Sequence, residues 1–295
     1  MSVSGRDPAE RLHGLDALRA GALLLGVVLH ASLSFFPQQI WIVADDSRSI
    51  GAAWLFFAIH LFRMTAFFLI AGLFAHMMLA RRGWVGFAKD RAMRIAGPLA
   101  AFWFPVMAGI VTALVWNAHA NGLVTPGAPP PPPPTYDWTN FPLTHLWFLW
   151  VLTLFYAAVL ILRAVVAAVD RKGRSGPVAD TITGALIGPW TPVVLAATGL
   201  CLRFLSGRSP VRRYLSDASY WVYIVHLPLI MLAQVWVQDW AGPWGLKLAG
   251  VSLGVFAVCL ISYELLIRHS SMGRWLNGRR MPWRNKPTPA LVPAE

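Results

Sequence analysis

Seven stretches of the chain are long and apolar enough to be read as membrane spans: residues 16–36, 51–79, 95–118, 143–168, 181–204, 218–239 and 244–267. A helix needs about 20 apolar residues to cross a hydrocarbon core about 30 Å thick. Between these runs the charged positions are bunched into short loops rather than spread over helical faces. The pattern predicts an all-α polytopic membrane protein of about six to seven hydrophobic helices, a single membrane-embedded domain over residues 1–295. Within it, 119–142 reads as a proline-rich extracytoplasmic loop and 269–295 as a basic cytoplasmic tail. Pro129 to Pro134 are consecutive prolines, a stiff polyproline II spacer with no expected chemistry.

Basic residues assign the sides of the bilayer. Loop 37–50 carries Asp45 and Asp46 against Arg48 alone and reads as outside. Residues 80–94 hold Arg81, Arg82, Lys89, Arg91 and Arg94 against one aspartate and read as inside. The stretch from Asn117 to Pro142 has no lysine or arginine and is outside; Arg171, Lys172 and Arg174 bring the chain back inside. The C-terminal tail, with Arg268, Arg274, Arg279, Arg280, Arg284 and Lys286, is inside as well, so both termini are expected in the cytoplasm. One segment breaks the alternation. Span 181–204 would start inside, yet Arg203, Arg208, Arg212 and Arg213 after it also demand the inside. Either it is re-entrant or interfacial, or an odd number of helices is absent there. Pro177, Gly188, Pro189 and Pro192 make its first half a poor regular helix.

Composition agrees with the pattern. The chain is 57% hydrophobic and 13% charged, where soluble domains carry about 25% charged residues. The net charge of +12 sits in clusters between apolar runs, which points to membrane orientation and away from nucleic acid. Cys201 and Cys259 lie in apolar segments and make neither a disulfide framework nor a metal knuckle. The first span carries Arg19 and is followed by further spans, so it reads as a retained helix rather than a cleaved signal.

Polar residues inside the spans are the candidates for chemistry, because ionisable groups in hydrocarbon cost a few kcal/mol or more. Arg19 and His30 share the first span; eleven positions apart, they are turned by about 20° and separated by about 16 Å along a helix. They therefore lie on one face at different depths. The alternative is that Arg19 snorkels to the interface and His30 bonds a neighbouring helix. In the second span His60 and Arg63 are three apart, in the outer half and at a depth comparable to His30. Together they predict a polar cavity opening outward; the alternative is a hydrogen-bonded structural pair. Arg91 and Arg94, on the first turn of the third span, form a fork suited to phosphate, or else ordinary cytoplasmic anchors. His145 opens the fourth span at the outer interface. His226 lies about two turns in from the cytoplasmic side, where Glu264 of the last span is placed to pair with it.

Laid out in order, these residues resemble the integral-membrane acyltransferase 3 family, and most closely its glucan-succinyltransferase branch, concerned with osmoregulated periplasmic glucan biosynthesis. Arg19 to His30 fits the family's Arg/Lys-x10-His motif, with Asp16 in its usual place. Phe62-Arg63-Met-Thr-Ala-Phe-Phe-Leu-Ile-Ala-Gly72 is similar to the second-helix pattern, with Ala71 where serine is common. Arg91-x-x-Arg94 with Pro98 fits the Arg-x-x-Arg motif. His145-Leu-Trp-Phe-Leu, Ser219-Tyr-Trp-Val-Tyr-Ile-Val-His226-Leu-Pro228, Tyr263-Glu264-Leu-Leu-Ile-Arg268 and Gly273-Arg-Trp-Leu-Asn-Gly278-Arg look like the later signatures. The family pattern has about ten helices, so the resemblance implies a shortened chain, with an internal deletion at the charge break.

The resemblance implies transfer of an acyl group, succinyl or acetyl, from an acyl-CoA donor to a hydroxyl of an extracytoplasmic glycan. Such a reaction needs a base near neutral pKa, and His30 is assigned that role; a covalent acyl-histidine is the other option. Arg19 is assigned with His30 to the catalytic pair, toward the donor side, and Arg91 and Arg94 to donor binding. Asp16, His60, Arg63, His145, His226 and Glu264 are acceptor-side or supporting residues. Acyl-CoA is expected as a substrate, with no permanently bound cofactor and no metal. The bilayer, acyl-CoA and a glycan or polysaccharide are the expected partners, at the bacterial inner membrane. Two other classes fit part of the pattern: a proton-coupled transporter using intramembrane His, Arg and Glu, and an inactive remnant that lost its middle helices.

Overall fold

The computed structural model describes residues 8–124, 127, 137, 140–169 and 209–277. Among them every regular element is helical and there is no strand. The helices are α1 (Pro8–Ser32), α2 (Ile50–Arg91), α3 (Gly97–Ala120), α4 (Trp147–Val169), α5 (Pro210–Val237), α6 (Trp244–Ser262) and the short α7 (Ser271–Asn277). Five stretches are long and apolar enough to cross a membrane, and a shorter apolar run, Ala20–Phe35, forms the end of α1 and the turn after it. The protein is an all-α, multi-pass membrane protein. Span 181–204, the proline run, Cys201 and the tail beyond Asn277 lie outside the described residues.

Local signals set the helix starts. Ser49 caps α2 by accepting from the Gly51 amide, and Ser209 caps α5 by accepting from that of Arg212, with Pro210 in the first turn. The long α2 is interrupted at Gly83, whose φ of 65° is open to glycine and costly for other residues. Two π-helical turns extend the helices, Ala92–Ala96 between α2 and α3 and Tyr263–Ile267 after α6. Turns of this kind disturb the helix register and collect at functional sites.

Helix α5 is the hub, packed against α1, α3 and α6. Val222, Ile224, Ile230 and Met231 on it are fully enclosed. Gly109 lets α3 come close to α5, since a Cβ there would stand 2.8 Å from Pro228. Outward-facing side chains are large and apolar, such as Phe104 at 72% exposed and Leu253 at 69%. In water these would be an aggregating surface; in a bilayer they are the lipid contact.

The basic residues between α2 and α3 and those after α6 define one side of the bundle, called here the basic side. The loop between α1 and α2 closes the opposite side. It is tied down by Lys247 of α6, whose Nζ bonds both Asp45 carboxylate oxygens at 2.8 and 2.9 Å and the Gln238 carbonyl at 3.1 Å. Trp41 Nε1 also donates to Gln234 Oε1 at 2.9 Å. Helix α4 ends and α5 begins on the basic side, for Tyr156 packs on Arg91 and the Tyr220 hydroxyl donates to the Arg94 carbonyl. The chain therefore leaves and re-enters the described bundle on one side, which reproduces the break in alternation read from charge.

Candidate active site

Four of the intramembrane polar residues converge. His30 at the end of α1, Arg63 in α2, His145 in the turn before α4 and His226 in α5 form one cluster. The His30 and His226 ring centroids are 5.3 Å apart, and those of His145 and His226 4.9 Å. Gly26 of α1, one turn before His30, leaves the room that admits Arg63. A Cβ there would collide with Nη1 of the guanidinium and stand 3.9 Å from Nε2 of His226. Arg63 is 8% exposed and lies 6.0 Å from the centre of the Phe67 ring. Among the described residues no carboxylate pairs with it.

Backbone carbonyls orient two of the imidazoles. His145 Nε2 lies 3.0 Å from the Ile224 carbonyl, and its own carbonyl accepts the Tyr223 hydroxyl at 2.7 Å. His226 Nδ1 lies 2.6 Å from the Tyr223 carbonyl. Carbonyls only accept, so each of these nitrogens carries its ring's proton in the neutral form. On the opposite side, Gln234 Nε2 donates to the carbonyls of His30 and Ala31, both at 3.2 Å, and fixes the end of α1 against α5.

Below the cluster a cavity of about 310 Å³ runs toward the basic side. Its inner wall includes Leu23, Phe67 and Tyr223, and its other end Arg91, Arg94 and Asp217. Along α5 the lining residues run from Ser216 to Tyr223, about 10 Å of helix, and His226 is one further turn in.

At the basic end, Asp90 organises the arginines. Its carboxylate takes Arg82 at 2.9 Å, Arg91 at 2.5 Å and Arg94 at 3.2 Å. Arg91 is further braced by the rings of Phe87 and Tyr156. Three cations on one anion leave net positive charge at the mouth, with Arg94 still 37% exposed in its side chain.

The family profile described as an acyltransferase domain matches residues 12–179, more than half the chain. The chain belongs to the acyltransferase 3 family. Glucans biosynthesis protein C of Escherichia coli (strain K12) and that of Shigella dysenteriae serotype 1 (strain Sd197) are each 35% identical to it over 92 residues. That stretch is 31% of this chain and 24% of each relative, so the match spans about a quarter of the relatives' length. No solved structure matches.

Several acyltransferase-family positions stand elsewhere than their spacing suggests. His226 does not meet Glu264: it lies more than four turns into α5, with His30 and His145. The helix begins at Pro210 rather than near residue 218, which moves His226 away from the basic side. Glu264 instead holds Arg268 at 2.8 Å and His269 at 3.3 Å, in the π turn at the basic side. His60 and Arg63 part company. Arg63 turns inward, whereas His60 is exposed and stacks on Phe56 with centroids 5.5 Å apart. Asp16 and Arg19 are on α1, and their side chains lie outside the described residues. Asp90, Gly26, Gln234 and the Asp45–Lys247 pair were not singled out by sequence. Asp90 was hidden as a minority charge in a basic loop, and Gly26 as one small residue in an apolar helix. Among the described residues no group of His, Cys, Asp and Glu is placed to hold a metal ion.

Proposed function

We propose that the chain is a membrane O-acyltransferase that moves an acyl group, succinyl or acetyl, from an acyl-CoA thioester to a hydroxyl of an extracytoplasmic glycan. The observation that carries this reading is the cavity that runs from the Asp90-bound arginines to Tyr223, one helical turn short of His226 in the histidine cluster. Arg91 and Arg94, with Arg19, receive the phosphates of the donor at the basic side, taken as cytoplasmic. The acyl-bearing arm follows the apolar wall toward Tyr223. His30 takes the proton of the acceptor hydroxyl, and Arg63 faces the oxyanion that forms on the thioester carbon, while His145, held by the Ile224 carbonyl, supports the cluster. The glycan approaches from the opposite side, in the bacterial inner membrane. Membership of the acyltransferase family and the relatives named glucans biosynthesis protein C support the class of reaction and of acceptor.

The test is complementation of a bacterial strain that lacks glycan acylation, read by mass spectrometry of the glycan. The wild-type chain restores acyl groups, and His30→Ala lowers the rate by about 10²–10⁴-fold, the usual worth of a positioned base. Equal acylation by both chains would remove His30 from the chemistry. No acylation by the wild type, with the protein present in the membrane, would favour an inactive remnant or a transporter.

A further inference from the structure

Two buried ring nitrogens in the cluster lack a hydrogen-bond partner: Nδ1 of His30 and Nε2 of His226. Their rings are neighbours, tilted by 45°. The protonation of one ring is set by the backbone. His226 Nδ1 lies 2.6 Å from the Tyr223 carbonyl and 3.1 Å from that of Val222, so it holds the proton and Nε2 is a bare acceptor.

We infer that His226 is the positioning residue of His30: Nδ1–H of His30 donates to Nε2 of His226, whose Nδ1–H donates to the Tyr223 carbonyl. The inference rests on His30 being the base. A single hydrogen bond then satisfies both orphaned atoms, reached by rotating the tilted His30 ring. It also leaves Nε2 of His30 as the nitrogen without a proton, ready for the acceptor hydroxyl.

The other groups around His30 do not fit this role. Arg63 has donors only. His145 spends its proton on the Ile224 carbonyl and faces His226 edge-on. Among the described residues no carboxylate bonds His30. An imidazole in the orienting position has a physical advantage here. A carboxylate beside Arg63 would be captured by it, whereas a neutral ring leaves the guanidinium free for the oxyanion.

In the reaction the hydroxyl O–H breaks as its oxygen bonds the thioester carbon, and the proton goes to Nε2 of His30. The C–S bond then breaks, and that proton passes from Nε2 to the leaving thiolate. Nδ1–H of His30 stays on His226 throughout.

The experiment uses the full chain in lipid nanodiscs, with 15N-labelled histidine and His30→Ala to identify the His30 signals. Wild-type His30 is expected in the Nδ1–H tautomer, and His226→Leu is expected to lose that preference. A wild-type His30 protonated on Nε2 overturns the inference, whether or not acyl transfer is detected, so it fails separately from the functional reading. In turnover with acyl-CoA, His226→Leu lowers kcat by about 10²-fold with KM for the donor unchanged. His226→Gln, whose amide reaches where Nε2 stood, recovers most of the rate, and the shorter His226→Asn does not. Equal loss in the Gln and Asn variants, or a loss carried by KM, would mark His226 as merely structural.

Discussion

Arg63 is the residue whose environment demands most explanation. A guanidinium 8% exposed, with an unpartnered Nε and no acidic neighbour among the described residues, is an uncompensated buried cation. A structural role would come with a carboxylate; a role in catalysis calls for an anion that arrives only during the reaction. Arg63→Gln is therefore expected to lower kcat by about 10²–10³-fold, the range for loss of one oxyanion donor, with KM for acyl-CoA little changed. Steady-state kinetics on vesicles decide it, and an unchanged kcat would return Arg63 to a packing role. Gly26 offers a second, gentler test. Gly26→Ala places a methyl group against Nη1 of Arg63, and the flexible end of that side chain can move aside. The fold is expected to persist with a near-normal Tm, while displacement of the guanidinium costs about 10²-fold in rate. A normal rate in a well-folded Gly26→Ala would show that the position of Arg63 is not critical.

Between helices, the decisive contact is Lys247 with Asp45. Both side chains are nearly enclosed, at 6% and 2% exposure, in a bonding set completed by the Gln238 carbonyl. The pair anchors the loop that closes the side opposite the arginines. Lys247→Met leaves the buried Asp45 carboxylate without its counter-ion, bonded only by the amide and hydroxyl of Ser47, and is expected to cost about 3–5 kcal/mol, seen as a lowered Tm in detergent. Adding Asp45→Asn removes the stranded charge and recovers part of the loss, as a double-mutant cycle will show. If Lys247→Met leaves Tm unchanged, the loop is held by its apolar contacts instead. At the basic side, α7 plays a similar closing part. Trp275 Nε1 donates to the Met93 carbonyl at 2.6 Å, its ring covers Gly97, and Leu276 and Asn277 line the cavity.

For the whole molecule, the arrangement separates a cationic mouth from an enclosed histidine cluster by one apolar cavity. Its sidedness is testable. A reporter fluorescent only in the cytoplasm, fused after Glu295, is expected to light up, and a periplasm-dependent phosphatase inserted at residue 46 is expected to be active. The reverse result would invert the donor and acceptor sides. The all-helical membrane class, and the return to the basic side at both the end of α4 and the start of α5, were legible in the chain, because hydropathy and charge act locally along it. The polar candidates were legible too, since an imidazole or guanidinium in an apolar run is conspicuous wherever it ends up.

What the sequence determined by itself was thus the helical membrane class and which residues are expensive inside it. What only the tertiary structure decided was who meets whom. His226 joins His30 and His145 rather than Glu264, Asp90 gathers three arginines, and Gly26 makes room for Arg63. The cost of burying a polar group is a property of the residue and its local surroundings, so it can be read along the chain. Its compensation depends on helix register, and on partners that stand up to about 200 positions away, which no local pattern records.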